Sequence, residues 1–307
     1  VTGAEAPGSQ RRAIVNAMSV DVEDYFHVSV FDNVVPRSQW ARMPSRVASN
    51  TARLLDLFDE HGVRGTFFVL GAVAEQHPHV VRSIAERGHE VASHGYGHQL
   101  VYTQTVPDFR DDVTRAKRLL EDIVGVAVSG YRAPSFSVTT KSLWALDVLM
   151  EQGYRYDASI FPIRHDRYGI PASPRHPYAI ERNGRALKEV PGSTVRLGPL
   201  NLPVAGGGYF RLLPYAWTHW GVAHLNFREQ RPAVFYIHPW EIDPGQPRLP
   251  AGWLGRFRHY RNLDKVETRL RRLLADFQFD TIASLLAVDV PVGSPVQPMP
   301  APLLSSS

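Results

Sequence analysis

The chain has 307 residues, 44% of them hydrophobic and 21% charged, with a formal net charge of +4 and no cysteine. These proportions belong to an ordinary globular protein with a sizeable core and exclude a disordered chain or a membrane protein. The missing cysteines remove disulfides, thiolate metal ligands and a cysteine nucleophile, and no Lys/Arg run marks a nucleic-acid footprint.

Residues 1–12 are small and polar, with no apolar segment of the kind a signal peptide carries. No stretch approaches the roughly 18 apolar residues needed to span a membrane, so a cytoplasmic location is expected. Residues 13–20 read as a first strand, which runs into Ser19-Val20-Asp21-Val22-Glu23-Asp24. One phrase then recurs: an amphipathic helix, a glycine and a short apolar strand. Residues 47–61, Gly62 and the strand 64–70 form its first instance, with Leu54, Leu55, Leu57 and Phe58 at helical spacing. Residues 79–87, Gly88 and the strand 89–93 form the second, leading into His94-Gly95-Tyr96-Gly97-His98. A further strand ends Gly130-Tyr131-Arg132-Ala133-Pro134. The third instance is residues 140–152, Gly153 and the strand 154–159, with Asp157 and Ser159 at its end. In each, the glycine supplies the left-handed residue that stops a helix at little cost.

Residues 160–215 are rich in Pro and Gly and read as a long insertion of loops and short strands. A strand at 233–238 leads into His238-Pro239-Trp240-Glu241, and residues 263–277 form a last amphipathic helix. Residues 290–307, rich in Pro and Ser, read as a tail like residues 1–12, leaving one domain over 13–289. Strands alternating with helices imply a parallel sheet, open or closed into a barrel.

In such a fold the strand C-termini gather on one face, where active sites are built. Five strands here end in a charged or imidazole group. Singly, each has an ordinary reading: Asp21, Glu23 and Asp24 a solvated turn, His94 and His98 a chance spacing, Arg132 a loop ion pair, His238 a core histidine. Together they make a hydrolytic set. Two imidazoles and one carboxylate, from Glu23 or Asp24, suit a divalent metal with a position left open. A second carboxylate, Asp21, can take a proton from water, and His238 can protonate a leaving amine. Arg132 would hold Asp21 ionised and oriented.

These motifs resemble, in order, those of the carbohydrate esterase family 4, or NodB-homology, polysaccharide deacetylases. The family's Thr-Phe-Asp-Asp is similar to the segment around Asp21. Its His-Ser/Thr-x-x-His is similar to His94–His98, its Arg-x-Pro to Arg132-Ala133-Pro134, its Asp-x-Ser to Asp157-Ala158-Ser159, and its Leu-x-His to the segment ending in His238. The wording Val-Asp-Val-Glu-Asp-Tyr-Phe, with Gly206-Gly207-Gly208-Tyr209-Phe210-Arg211 and His238-Pro239-Trp240-Glu241, resembles the exosortase-associated subgroup found with exopolysaccharide biosynthesis. The resemblance implies a distorted (β/α)7 barrel that removes N-acetyl groups from an N-acetylhexosamine polysaccharide or oligosaccharide. It implies Asp21 as base, His94 and His98 as metal ligands, Arg132 as the group orienting Asp21, His238 as acid and Asp157 as the acid partner tuning His238. A backbone N–H just after Pro134, from Ser135 or Phe136, would hold the oxyanion.

Two departures stand out. Val22 separates Asp21 from the next acid, and strand alternation puts Asp21 and Glu23 on one face, favouring Glu23 over Asp24 as third ligand. Gly95 replaces the family's Ser/Thr, removing a hydroxyl that helps fix the loop. The metal is expected to be zinc, with cobalt, nickel, manganese or iron also suited to these ligands. Among aromatics of the irregular regions, Tyr209 and Trp240 are the first candidates to line a sugar groove, ahead of Phe210, Trp217, Trp220 and Trp253. A small-amide hydrolase on the same fold is the main alternative. An iron oxygenase would not need the Asp21/His238 pair, and a non-catalytic relative would normally have lost it.

Overall fold

The computed structural model describes residues 14–287, so the tails read at 1–12 and 290–307 lie outside the described residues. The first strand, β1 (Asn16–Val22), is buried at every position. A strand covered on both faces belongs inside a layered α/β fold. It runs two residues further than the sequence reading and carries Asp21 within it. The chain continues through α1 (Val47–Glu60), β2 (Thr66–Val69), α2 (Gly71–Gln76), α3 (Pro78–Glu86) and β3 (Glu90–Ser93). Next come α4 (Val106–Val124), β4 (Gly130–Tyr131), α5 (Trp144–Glu151) and β5 (Tyr156–Asp157).

The region read as an irregular insertion holds two hairpins, β6 (Tyr178–Arg182) with β7 (Arg185–Glu189), and β8 (Thr194–Leu197) with β9 (Leu200–Pro203). Helices α6 (Gly207–Leu212) and α7 (Tyr215–Ala223) lead to β10 (Val234–Ile237). The described chain closes with α8 (Trp253–Tyr260), α9 (Leu263–Asp276), β11 (Phe279–Asp280) and α10 (Ile282–Ala287).

The main sheet has the order β10-β1-β2-β3-β4-β5-β7-β6, with β11 also paired to β1. Every pair along this path is parallel except the β6–β7 hairpin, so seven strands, β10, β1 to β5 and β7, run the same way. This is the expected (β/α)7 arrangement in a single mixed α/β domain, but no ladder joins β7 to β10 among the described residues. Instead Ser193, just beyond β7, accepts the Val234 N–H through its hydroxyl at 2.7 Å. Part of the insertion is therefore a strand of the main sheet. The sequence hides this because the segment around it is rich in Pro and Gly, although β7 itself alternates, burying Leu187 and Glu189 and exposing Lys188 between them.

Helix ends follow local chemistry. Gly62, Gly88 and Gly153 each hold a positive φ after α1, α3 and α5. Helix α5 starts at Trp144, later than the reading of 140–152, because the Ser142 hydroxyl accepts the Thr139 N–H at 2.9 Å and makes a turn there. The 19-residue α4 was not among the expected elements. Its signals are ordinary: Thr105 caps the Asp108 N–H, Phe109, Val113, Ala116 and Leu120 form the buried stripe, and Gly125 ends it. No helix among the described residues is long and apolar enough to cross a membrane.

Candidate active site

The parallel strands deliver their C-terminal residues to one cleft of about 410 Å³. Asp21, Glu23, His94, His98, Ser135, His238 and Trp240 all line it. β1 brings Asp21 to the rim. Arg132, following β4, is almost fully buried and donates from Nη1 to Asp21 Oδ1 at 2.7 Å and to the Ser19 hydroxyl at 2.9 Å. Its Nε donates to the Ala158 carbonyl at 3.2 Å, and Phe68 lies 4.2 Å from the guanidinium carbon. Fixed on three sides, Arg132 leaves Asp21 Oδ2 as the oxygen free to face the cleft.

Beyond β1 the chain turns tightly, with the Glu23 N–H donating to the Asp21 carbonyl at 3.0 Å. Glu23, His94 and His98 each offer one ligand atom to a group whose atoms lie within 4.8 Å of one another. His94 Nδ1 sits 2.8 Å from the Arg132 carbonyl. That carbonyl can only accept, so Nδ1 carries the proton and Nε2 is left with its lone pair, the tautomer a metal ligand requires. His98 Nε2 and Glu23 Oε2 approach to 2.6 Å, yet Glu23 Oε2 has no hydrogen-bond partner. A buried carboxylate oxygen without a donor, facing two imidazole nitrogens, fits a divalent cation. Burial opposes charge on Glu23, but His98, His238 and His94 outweigh it and hold the carboxyl well below its ordinary range. Burial pushes His94 down to about 4, so it is neutral at physiological pH.

Asp24, the other ligand candidate, does not join this cluster. Its carboxylate accepts the Ser45 hydroxyl at 2.6 Å and the backbone N–H groups of Arg46 and Val47 at 3.0 and 3.2 Å, anchoring the start of α1.

The loop bearing His98 is pinned without the family hydroxyl. Asp112, on α4, accepts the N–H groups of Tyr96 and Gly97 at 2.7 and 2.9 Å, while Arg37 donates to the carbonyls of Gly97 and His98. Gly95 has φ +72°, and a Cβ there would stand 2.7 Å from Asp112 Oδ2. The glycine is what lets this carboxylate do the fixing.

His238, after β10, has its Nε2 3.8 Å from Asp21 Oδ2 and 3.7 Å from Glu23 Oε1. Its other nitrogen lies 2.7 Å from Glu241 Oε1, and Arg211 Nε donates to Glu241 Oε2 at 2.6 Å. Glu241 thus holds the place that the resemblance gave to Asp157. Burial lowers the His238 pKa, but the bond to Glu241 and the charges of Glu23, Glu241 and Asp21 win, pushing it up to about 9. Asp157 faces elsewhere. It is fully buried opposite Glu189 of β7 and accepts the Ser159 hydroxyl, and one oxygen of each of the two carboxyls meets no donor among the described residues. Desolvation raises both carboxyls, Asp157 to about 6, the state of a pair sharing one proton. Glu241 and Arg211 were legible only as parts of motifs; the signal was the three-residue step from His238 to Glu241 across one short helical turn.

The softer candidates separate. Trp240 is buried against the site, its ring stacked 5.1 Å from His238 and its Nε1 donating to Glu23 Oε1 at 3.2 Å. It braces the ligand carboxylate. Tyr209 packs against a cluster of Phe136, Phe161, Ile163 and Tyr236. Pro134 is buried, and Ser135 and Phe136 adopt positive φ values of +53° and +52°. The Phe136 N–H is taken by the Ala133 carbonyl at 3.0 Å, leaving the Ser135 N–H as the donor on this turn. Phe210 is buried against Phe235, Trp217 donates to the Pro203 carbonyl, and Trp220 and Trp253 are exposed.

A parallel α/β sheet whose strand ends bring Glu23, His94 and His98 together beside Asp21 and His238 has the groups that hydrolytic chemistry needs, and similarity to known proteins agrees. Residues 29–156 match the polysaccharide deacetylase family model, and residues 158–287 match a domain of unknown function, DUF3473. His94, His98 and Arg132 fall in the first match, Arg211, His238 and Glu241 in the second. The chain is 31% identical over 98 residues to the peptidoglycan-N-acetylglucosamine deacetylase of Bacillus cereus, covering 32% of this chain and 36% of that one. It is 34% identical over 110 residues to the peptidoglycan deacetylase of Helicobacter pylori, covering 35% and 36%. The chain therefore spans about a third of the length of these curated relatives. A solved structure from Mycobacterium smegmatis, assigned as a polysaccharide deacetylase, superposes with a TM-score of 0.54 at 24% identity, covering 94% of this chain and 89% of that one. Over residues 29–156 the chain is thus similar to polysaccharide deacetylases, and the fold agrees with that likeness.

Proposed function

We propose that the protein is a metal-dependent deacetylase acting on N-acetylhexosamine residues of a polysaccharide. The observation that carries this reading is the division of labour around one cleft. Glu23, His94 and His98 form a ligand set, while Asp21 Oδ2 and His238 Nε2 face each other 3.8 Å apart beside it.

A divalent cation held by Glu23, His94 and His98 would polarise an amide carbonyl and make a bound water more acidic. Zinc suits the donor set best, and cobalt, nickel, manganese and iron also fit it. The protein's own groups do the proton work. Asp21, with Oδ1 committed to Arg132, receives the water's proton at Oδ2. The Ser135 N–H supplies an oxyanion donor. His238, held protonated by Glu241, delivers a proton from Nε2 to the departing nitrogen. Asp157 takes no part in this scheme. The likeness of the Gly206–Arg211 and His238–Glu241 segments to the exopolysaccharide subgroup supports an exopolysaccharide as the natural polymer, and both segments meet in the Arg211–Glu241 pair.

The test compares acetate release from N-acetylglucosamine oligomers with metal content. Asp21→Asn is expected to keep the metal and lose turnover, and His94→Ala to lose both. Full acetate release by Asp21→Asn would refute the assignment of the base. Ring opening of a small cyclic amide, with no acetate released from any glycan, would favour the small-amide alternative.

A further inference from the structure

The cleft continues outward beyond the ligand set, and the groups around its outer half serve nothing in the reaction above. One side is the loop after β5, with His165, Asp166, Arg167 and Tyr168; the other is α8, with Leu254, Gly255 and Arg258. Arg167 donates to the Ser29 hydroxyl, which lies 3.3 Å from the Ser135 hydroxyl, so this guanidinium is held at the mouth by neutral partners. The side chain of Arg258 makes no hydrogen bond or ion pair among the described residues. Of the cleft carboxylates, Asp21 is committed to Arg132 and Glu23 to the ligand set. Asp166 on the rim is 71% exposed and paired with His165 at 2.9 Å. Asp32, also exposed, is close enough to Arg37 and Arg167 to feel their charge but forms no ion pair with them.

The two arginines line one cleft from opposite sides, with His165 on the same wall as Arg167. Burial lowers the His165 pKa, Asp166 raises it, and Arg167 and Arg258 lower it again, as two cations acting on one imidazole do. Like charges facing a concave, low-dielectric wall raise the local concentration of anions. Carboxylates in particular pair with a guanidinium fork.

Helix α8 also carries unpartnered apolar surface. Trp253 is 79% exposed, Phe257 46% and Leu254 44%. Trp253/Phe257 and Leu254/Arg258 are each four residues apart, so the four side chains form one continuous face that borders the cleft. Exposed aromatics grouped in this way mark a binding surface. Flat rings offer pyranose faces an apolar platform. A bilayer would also accept a helix with Trp, Phe and Arg. However, Arg167 and Arg258 line the same cleft as Asp21, His94, His98 and His238, so a chain threading that cleft meets both guanidinium groups.

We propose that the outer cleft and the Trp253–Arg258 face of α8 bind an anionic polysaccharide. Its carboxylates would pair with Arg167 and Arg258, and its sugar rings would lie on Trp253 and Phe257. This names the substrate class of the site and rests on the deacetylase reading for the reaction at its inner end.

The test compares two oligomers of equal length, one of N-acetylglucosamine alone and one alternating N-acetylglucosamine with glucuronate. At low salt kcat/KM is expected to favour the acidic oligomer by about tenfold, the scale of one charge-assisted hydrogen bond. That ratio is expected to fall toward one in high salt and in the Arg167→Ala/Arg258→Ala double variant. Equal or better turnover of the neutral oligomer, or a ratio untouched by the double variant, would overturn the proposal. If neither oligomer releases acetate, electrophoresis through a gel containing hyaluronan separates the two claims. Retardation lost in the double variant would keep the anionic surface while the deacetylase reading falls, and no retardation would overturn the surface as well. Trp253-dependent binding to phosphatidylglycerol vesicles, with no retardation by hyaluronan, would assign the face to a membrane and overturn it too.

Discussion

His238 and Glu241 stand three residues apart on one short helical turn, with Nδ1 and Oε1 2.7 Å apart. The carboxylate also accepts the His238 backbone N–H at 3.1 Å, so one oxygen fixes both the ring and the chain that carries it. Arg211 holds the second oxygen, which keeps Glu241 charged although burial alone would neutralise it.

Glu241→Gln therefore lowers the His238 pKa in the metal-free protein from about 9 toward its ordinary 6.5, measured by NMR titration of the imidazole. The sign for stability follows. A histidine whose folded pKa is raised favours the folded state fully below pH 6.5, and that contribution fades as pH rises through about 9. Glu241→Ala also leaves Arg211 buried without its partner, at a cost of about 3 kcal/mol in chemical denaturation. An unchanged His238 titration in Glu241→Gln would remove Glu241 from the site.

Gly95→Ser would seem to restore the family's hydroxyl, but here it is expected to harm. The backbone at φ +72° and the 2.7 Å approach to Asp112 Oδ2 leave no room for a Cβ. The expected cost is about 1–3 kcal/mol of stability, with weakened metal binding as the His98 loop shifts. Calorimetric titration with zinc checks this; affinity at the level of the parent protein would show that Asp112 does not set the loop.

The Asp157/Glu189 pair predicts a second pH effect. Because Asp157 is raised from 3.8 to about 6, the folded state holds protons that the unfolded chain has released. The Asp157 contribution is complete below about pH 4 and lost as pH rises through about 6, while that of Glu189, whose carboxyl is raised well above its ordinary range by burial and by Asp157, persists to higher pH. Glu189→Gln can still donate to Asp157, so it is expected to flatten this loss. Denaturation curves at several pH values between 4 and 7 read it directly. A slope identical to that of the parent would mean that the two carboxyls do not share a proton.

The order of motifs made the mouth of the barrel legible in the sequence, because parallel strands send every C-terminus to one face. Glu23 was favoured over Asp24 by strand alternation. The structure brings Glu23 to the same cluster by a tight turn past the end of β1, while Asp24 is spent on Ser45 and the first amides of α1. Asp157 misled because motif order says nothing about which face a side chain takes. Its neighbour Glu189 lies in a segment whose Pro and Gly content hid a strand. Helix α4, plain in its apolar spacing, matters most through Asp112, whose contact with a loop 16 residues earlier leaves no local mark.

The most direct test of the central claim is acetate release from N-acetylglucosamine oligomers before chelation, after chelation, and after zinc is restored, for the parent protein and His98→Ala. The account predicts release that chelation abolishes, that zinc restores in the parent protein, and that His98→Ala does not recover. Release that survives complete removal of metal, or that zinc restores equally in His98→Ala, would contradict it.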